Sequence, residues 1–368
     1  MSQSAYNERT RELLIKQYRS YPNMKEDDVF KYIFQSSFGC EHLVSDEDAA
    51  IKYIMREYET LHETRMPVVE TLDGEYSRIN LSCLTEGLKP ETLAKLFLLS
   101  GKKEQNGKYL LEQKLQVAKE LVAEGKLPFD SNDFNKSIDK WRAEGYPAIH
   151  HSDDFRVEYH PAYRVVDNRY ADFLPVFAEI DKHSCQGCLI VAIEGGSASG
   201  KTTLANLLHQ VYDCTVFHMD DFFLRPEQRT PERLAEIGGN VDRERFLEEV
   251  IKPCSEGNNV LYRRFDCNTQ SLCEPIVITP DKLTVVEGVY SMHPILASYY
   301  NISVFLDIDS AYQSERINKR NTPQIAKRFF DEWIPLELKY FTGMNIKEKC
   351  NISVPIKKYE YEKSGIIL

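Results

Sequence analysis

After about residue 186 the chain is a succession of short apolar runs separated by amphipathic stretches. The runs are Leu189–Ile193, Cys214–Met219, Leu283–Val286 and Ile302–Ile308, with Asn351–Ile356 as a fifth. Runs of this length read as strands buried on both faces, and helical patterns between them argue for a parallel sheet covered by helices. Before about residue 180 the pattern is mostly helical. Leu110, Leu111, Leu115, Ala118, Leu121 and Val122 recur at the spacing of one helix face, and Gly125 follows as a C-terminal stop. Val68–Ile79 reads as a hairpin turning at Asp73-Gly74. The polar stretch Asp181-Lys182-His183-Ser184 marks the boundary. The expectation is a mainly helical α+β domain over 1–183 and an α/β domain over 184–368, each long enough for a core of its own.

Length agrees with two domains, at 368 residues. Hydrophobic residues at 42% and charged residues at 28% exclude a disordered chain or a fibre. Asp and Glu number 57 against 46 Lys and Arg, a net charge of −11. That lacks the basic surplus of a duplex-binding protein, so nucleic acid is not expected as a partner. An anionic ligand must instead be held by a local cluster. No apolar run reaches the roughly 18 residues of a membrane span, and the polar start does not read as a signal peptide. Nine cysteines without an export signal read as reduced thiols in the cytoplasm. Cys185-Gln-Gly-Cys188 has no second such pair and reads as ordinary cysteines rather than a zinc or redox site.

The strongest chemical signal follows the first buried run. Gly195-Gly196-Ser197-Ala198-Ser199-Gly200-Lys201-Thr202 satisfies Gly-x-x-x-x-Gly-Lys-Thr, and Thr203-Leu204 opens an amphipathic helix. This is a phosphate loop in its proper strand–loop–helix context. Glycines let the backbone wrap a phosphate chain with N–H groups inward, and the helix that starts there adds its positive end. The 195–203 segment therefore binds ATP or GTP, with Lys201 between the outer phosphates and Thr202 offering its hydroxyl to Mg2+.

Two carboxylates stand at the carboxyl ends of later strands, where open α/β sheets hold their ligands. The second run ends in Asp220-Asp221, which could take the proton of an attacking hydroxyl, hold Mg2+ through water, or simply cap a helix. The third ends in Glu287, a position suited to the Mg2+ shell. Arg316 and Arg320 lie four apart on one helix face, as a clamp on a transferring phosphoryl group or as an exposed salt-bridged face. The segment Trp333–Phe341 reads as core aromatics.

In this order (loop, Asp220-Asp221-Phe222-Phe223, Asn240-Val241-Asp242, Glu287-Gly288, arginine helix) the chain resembles the phosphoribulokinase/uridine kinase family over about 188–356, and the uridine-cytidine kinases within it most. The resemblance implies a P-loop kinase fold with a five-stranded parallel core and phosphoryl transfer from ATP, with Mg2+, to a hydroxyl of a small molecule. It implies Asp220 as the general base, Lys201, Arg316 and Arg320 as catalytic cations, and Thr202 and Glu287 at the metal. It also implies Asp242, Tyr262 and Gln324 at the acceptor. One departure bears on specificity. Uridine kinases carry a histidine five residues after the tyrosine, and here that position is Cys267, in Tyr262-Arg263-Arg264-Phe265-Asp266-Cys267. Extra guanidinium groups, Arg264 among them, suit an anionic or polyhydroxy acceptor better than a neutral base.

The first half is less informative. Glu41-His42 and His150-His151, with Arg164, could form a polar pocket for an anion or metal, although nothing in their spacing requires one. The half could bind a regulator, carry a second reaction or make a homo-oligomer contact. The reading for the whole chain is a Mg2+-requiring ATP-dependent kinase of a small-molecule alcohol. A nucleotide-switched binding protein, with ATP controlling what the first half binds, is the rival.

Overall fold

In a computed structural model, the structure describes residues 3–40, 46–62, 66–101, 107–184 and 187–358. The chain folds as two compact units, Met1–Leu174 and Pro175–Lys358.

The first unit carries helices α1 (Gln3–Ser20), α2 (Glu26–Phe38), α3 (Glu47–Glu59), α4 (Pro90–Leu99), α5 (Gly107–Ala123), α6 (Ser131–Ala143) and α7 (Asp153–Tyr159). They accompany a three-stranded antiparallel sheet, β1 (Val69–Thr71), β2 (Tyr76–Asn80) and β3 (Tyr163–Asp167), in the order β1-β2-β3. The expected hairpin is β1–β2, with Val69 opposite Ile79 and Gly74 at φ +112 in its turn. The expected helix is α5, and Gly125 (φ +68) ends it by donating its N–H to the Val122 carbonyl at 3.0 Å. The periodicity left β3 unread, because only its pairing with β2 makes Tyr163–Asp167 a strand. The core is aromatic at its centre, where the Phe30 ring lies 5.2 Å from Phe134 and 5.3 Å from Trp141.

The second unit begins earlier than residue 184. Helix α8 (Leu174–His183) is tied to α9 (Lys201–Tyr212), where the Tyr212 hydroxyl donates to the Phe177 carbonyl at 3.2 Å and to buried Asp181 at 3.0 Å. The polar Asp181-Lys182-His183, expected at the boundary, is the last turn of this helix, and the helix's hydrogen bonds with Tyr212 place it with the second unit.

The five expected strands are all present: β4 (Leu189–Gly195), β5 (Thr215–His218), β6 (Leu283–Glu287), β7 (Ile302–Ile308) and β8 (Ile352–Ile356). They form one parallel sheet in the order β8-β7-β4-β6-β5. Every residue of β4 and β6 is buried, which is why these strands read as continuous apolar runs rather than alternating ones. The chain order reverses on either side of β4, and such a switch point opens a crevice beyond the carboxyl ends of the strands. Helices α10 (Ser310–Arg320), α11 (Pro323–Arg328) and α12 (Ile334–Met344) follow β7. A π-helical turn, Phe329–Trp333, joins α11 to α12, and a second, Leu247–Ile251, lies in the helical stretch Arg243–Ser255. Each lies just ahead of a proline, Pro335 or Pro253, whose missing N–H and bulky ring cannot be fitted into a regular turn. An antiparallel ribbon, Val260–Tyr262 against Ile276–Ile278, stands apart from the main sheet.

Among the described residues no helix is long and apolar enough to cross a membrane. Cys40, Cys83, Cys188, Cys214, Cys254, Cys267, Cys273 and Cys350 are free thiols, and Cys185 lies outside the described residues.

Candidate functional site

The loop between β4 and α9 depends on glycine where the backbone demands it. Gly195 (φ +146) and Gly200 (φ +103) occupy conformations that side chains disfavour, and a Cβ on Gly195 would lie 2.7 Å from the Leu306 carbonyl oxygen. Helix α9 starts after Gly200 with no side-chain cap, so its first N–H groups are left for an anion. The Lys201 ammonium folds back over the loop and donates to the carbonyls of Gly195 at 2.9 Å and Gly196 at 3.0 Å.

Parallel register brings the strand-end groups together. Glu287 ends β6 and its register partner on β5 is His218. The buried Glu287 carboxylate accepts from the Thr202 hydroxyl at 3.1 Å and meets His218 Nδ1 at 2.6 Å on the same oxygen. That bond to Glu287 raises the His218 pKa above the usual histidine value. His218 is the last residue of β5, and its part in the site is not legible in sequence, because only the sheet order sets β5 beside the strand that ends in Glu287.

Asp220 sits in a single 3-10 turn, Met219–Asp221, just beyond β5. Its pKa is raised, first because protein atoms crowd the carboxyl, while Lys201 pulls it down and Glu287 pushes it up. The residue remains open to solvent, which limits the first effect. Asp221 turns the other way. It accepts from the Tyr262 hydroxyl at 2.6 Å and lies 3.6 Å from Arg264 Nε. Arg264 is largely exposed, whereas Arg263 is drawn to Glu249 at 2.8 Å. So the two adjacent cations separate, and only Arg264 stays with the strand-end acids. Cys267 is exposed.

Asp242 is buried and already well partnered. It caps Arg243–Phe246 by accepting from the Arg245 N–H at 3.2 Å, and accepts from Gln228 Nε2 at 3.0 Å. Phe222 is core, with the Arg245 guanidinium carbon 3.9 Å from its ring centroid, and its carbonyl accepts from the Asp242 N–H at 2.7 Å. Arg316 lies over the Tyr312 ring at 5.5 Å, with Nη1 3.9 Å from where a Cβ on Gly200 would stand. Arg320 and Gln324 are both exposed.

Two acids reach the loop unforeseen. Glu194, just before it, is fully buried and pushed up to about 7 by that burial. Its oxygens accept from the N–H groups of Gly195 and Met292, each at 3.0 Å, and from the Tyr340 hydroxyl at 3.0 Å. Glu337, from the segment read as core, accepts from the Ser197 N–H at 2.9 Å and from the Ser197 hydroxyl. An acid inside an otherwise apolar strand was the available signal for Glu194; for Glu337 there was none.

In the first unit, His151 is buried between Asp28 (2.7 Å) and the Tyr163 hydroxyl (2.6 Å), and burial lowers its pKa to about 4. Arg164 pairs with Glu57 at 2.8 Å. His150 is exposed and, with His151 and Trp141, lines a cavity of about 620 Å³. Glu41 and His42 lie outside the described residues. Among the described residues no group of three or more His, Cys, Asp or Glu side chains could hold a metal ion.

Residues 190–322 match the sequence model of the Phosphoribulokinase / Uridine kinase family. The chain is 27% identical over 176 residues to Uridine kinase-like protein 5 of Arabidopsis thaliana, covering 41% of this chain and 37% of that protein. It is 27% identical over 149 residues to Uridine kinase of Chlamydia pneumoniae, covering 38% of this chain and 65% of that one. Each match thus spans less than two thirds of the relative's length. A solved structure described as a possible uridine kinase from Bacillus stearothermophilus is 20% identical, with 49% of this chain and 98% of that chain covered and a TM-score of 0.37. At that score the structural likeness adds nothing to the assignment.

Proposed function

We propose that the protein is an ATP-dependent kinase that transfers the γ-phosphoryl group to a hydroxyl of a small molecule. The observation that carries this reading is the carboxylate of Asp220 in the turn just beyond β5, within the segment 190–322 that matches a kinase family.

In this reading the loop N–H groups and Lys201 bind the phosphates, and Asp220 accepts the proton of the attacking hydroxyl. Its solvent-facing position leaves it able to reach a substrate, and its raised pKa makes it a better base than an ordinary aspartate. Arg316, beside Gly200, meets charge that develops on the transferring group, with Arg320 one turn further along α10. Hard oxygen donors at Thr202 and Glu287 suit Mg2+, which usually takes one or two carboxylates plus substrate phosphates. When bound, the ion would neutralise phosphate charge. His218 meets the same Glu287 oxygen as Thr202, so its protonation bears on how much charge that carboxylate offers.

For the acceptor, Arg264 beside Asp221 and Tyr262 favours an anionic or polyhydroxy molecule over a bare pyrimidine nucleoside. Asp242 and Gln324 remain acceptor candidates, though Asp242 would have to share its carboxylate with Gln228 and Arg245.

The test is ADP release from Mg-ATP against a panel of uridine, cytidine, sugars, sugar acids and other alcohols, with Lys201→Ala as the blank. Acceptor-dependent turnover is expected. Tight nucleotide binding with only slow, acceptor-independent hydrolysis across the panel would favour a nucleotide-switched protein instead.

A further inference from the structure

Ser197, the third residue of the phosphate loop, is gripped by two helices. Its N–H and its hydroxyl donate to Glu337 on α12, and its carbonyl accepts from Gln313 Nε2 on α10 at 2.8 Å. The preceding Gly196 is pressed by the same two side chains: a Cβ there would lie 2.8 Å from Gln313 Nε2 and 3.4 Å from Glu337 Oε2. One turn further along α12, Tyr340 bonds Glu194, the residue before the loop. Helix α12 therefore holds the loop's entry on both sides of Gly195-Gly196.

Glu337 is 4% exposed. A carboxylate beside an anion-binding loop is unfavourable here, first because burial strips it of water and then because Asp220 repels it, as any incoming phosphate would. Lys201 and the two Ser197 donors offset that cost, and the balance still leaves its carboxyl above the ordinary glutamate value. What the carboxylate supplies is a rigid hold on the first half of the loop, which then does not need to order itself when a nucleotide arrives.

We propose that Glu337 is a positioning residue for nucleotide binding, acting through Ser197, with Gln313 as its counterpart on α10. The proposal rests on the kinase reading, in that it takes the 195–203 loop as the phosphate site.

The test is calorimetric titration of the full-length chain with Mg-ADP, which needs no acceptor. Glu337→Ala is expected to weaken ADP binding about tenfold or more, the scale of a lost charge-assisted hydrogen bond. Glu337→Gln keeps an acceptor oxygen for the Ser197 N–H and should return the affinity to within about threefold of the unsubstituted protein. A purely structural anchor would lower the thermal midpoint of the alanine variant and leave its ADP affinity unchanged, which would overturn the proposal. Equal weakening by the alanine and glutamine variants would overturn it too. If Glu337→Ala does not fold, Ser197→Ala, which removes only the hydroxyl bond, should weaken ADP about threefold; an unchanged affinity counts against the clamp. Failure of the unsubstituted protein to bind Mg-ADP would be a different result, since it removes the phosphate-site reading itself.

Discussion

At the scale of single residues, the site separates groups that act on charge from groups that hold shape. In the proposed kinase Lys201 and Asp220 act on charge. Lys201→Ala is expected to lower turnover roughly a hundredfold or more with loss of nucleotide affinity, whereas Asp220→Asn should lower turnover by about 100-fold or more with little change in the ATP KM. Single-turnover assays with measured ADP affinity separate the two. The pH dependence has a definite sign. The Asp220 pKa is raised, and a base must be unprotonated, so kcat/KM should fall on the acid side at a pH above that of an ordinary aspartate. A pH–rate profile for the unsubstituted protein that stays flat down to the ordinary aspartate range would contradict the base assignment. Glu194 affects stability by the opposite ionisation. Its folded pKa lies above its unfolded value, so the stability it contributes is fully present below the unfolded value of 4.5 and is lost as pH rises toward about 7. Thermal midpoints measured from pH 4.5 to 8 should fall more steeply in the unsubstituted protein than in Glu194→Gln. Equal slopes would mean that Glu194 does not titrate there.

At the scale of elements, turns and strand ends make the site, and regular structure only delivers them. Glu287 and His218 were both visible as residues, but only the β5–β6 register puts them side by side. The loop glycines were legible because their chemistry is local: Gly195 is required by its own φ and by the Leu306 carbonyl opposite. Gly195→Ala should destabilise the chain by roughly 1–3 kcal/mol and abolish ADP binding, as urea unfolding and a binding titration would show. The Tyr262–Arg264 segment is less local. Arg263 and Arg264 read alike in sequence, yet Glu249 takes one and Asp221 takes the other. Arg264→Ala is accordingly expected to raise the acceptor KM about tenfold and leave the ATP KM nearly unchanged. A change in the ATP KM of the same size would place Arg264 with the nucleotide.

At the scale of the whole molecule, two units each enclose a core of their own. Differential scanning calorimetry is expected to resolve two transitions, and Mg-ADP should raise only the one that belongs to Pro175–Lys358. At a ligand concentration about 100 times Kd the gain is about 2.7 kcal/mol. A single transition, or a shift of both, would contradict independent unfolding of the two units. The net charge of −11 gives an anionic ligand no help from a distance, so the proposed kinase would have to draw its affinity from Lys201, the loop and nearby arginines.

The parallel sheet is written into the residue pattern, since strands buried on both faces must be apolar throughout, and so is the phosphate loop, since glycines, lysine and threonine at that spacing answer a local backbone requirement. The same pattern puts acids at the ends of β5 and β6. Tertiary structure alone decided which side chains meet them. Glu337 reaches Ser197 across 140 positions of chain, and its neighbours Trp333 and Phe341 carry only the pattern of a packed helix. Local sequence specifies φ, ψ and burial, but a contact between distant segments is specified by how whole elements pack. The clamp on the loop, the His218–Glu287–Thr202 cluster and the partners of Asp242 all belong to that second kind.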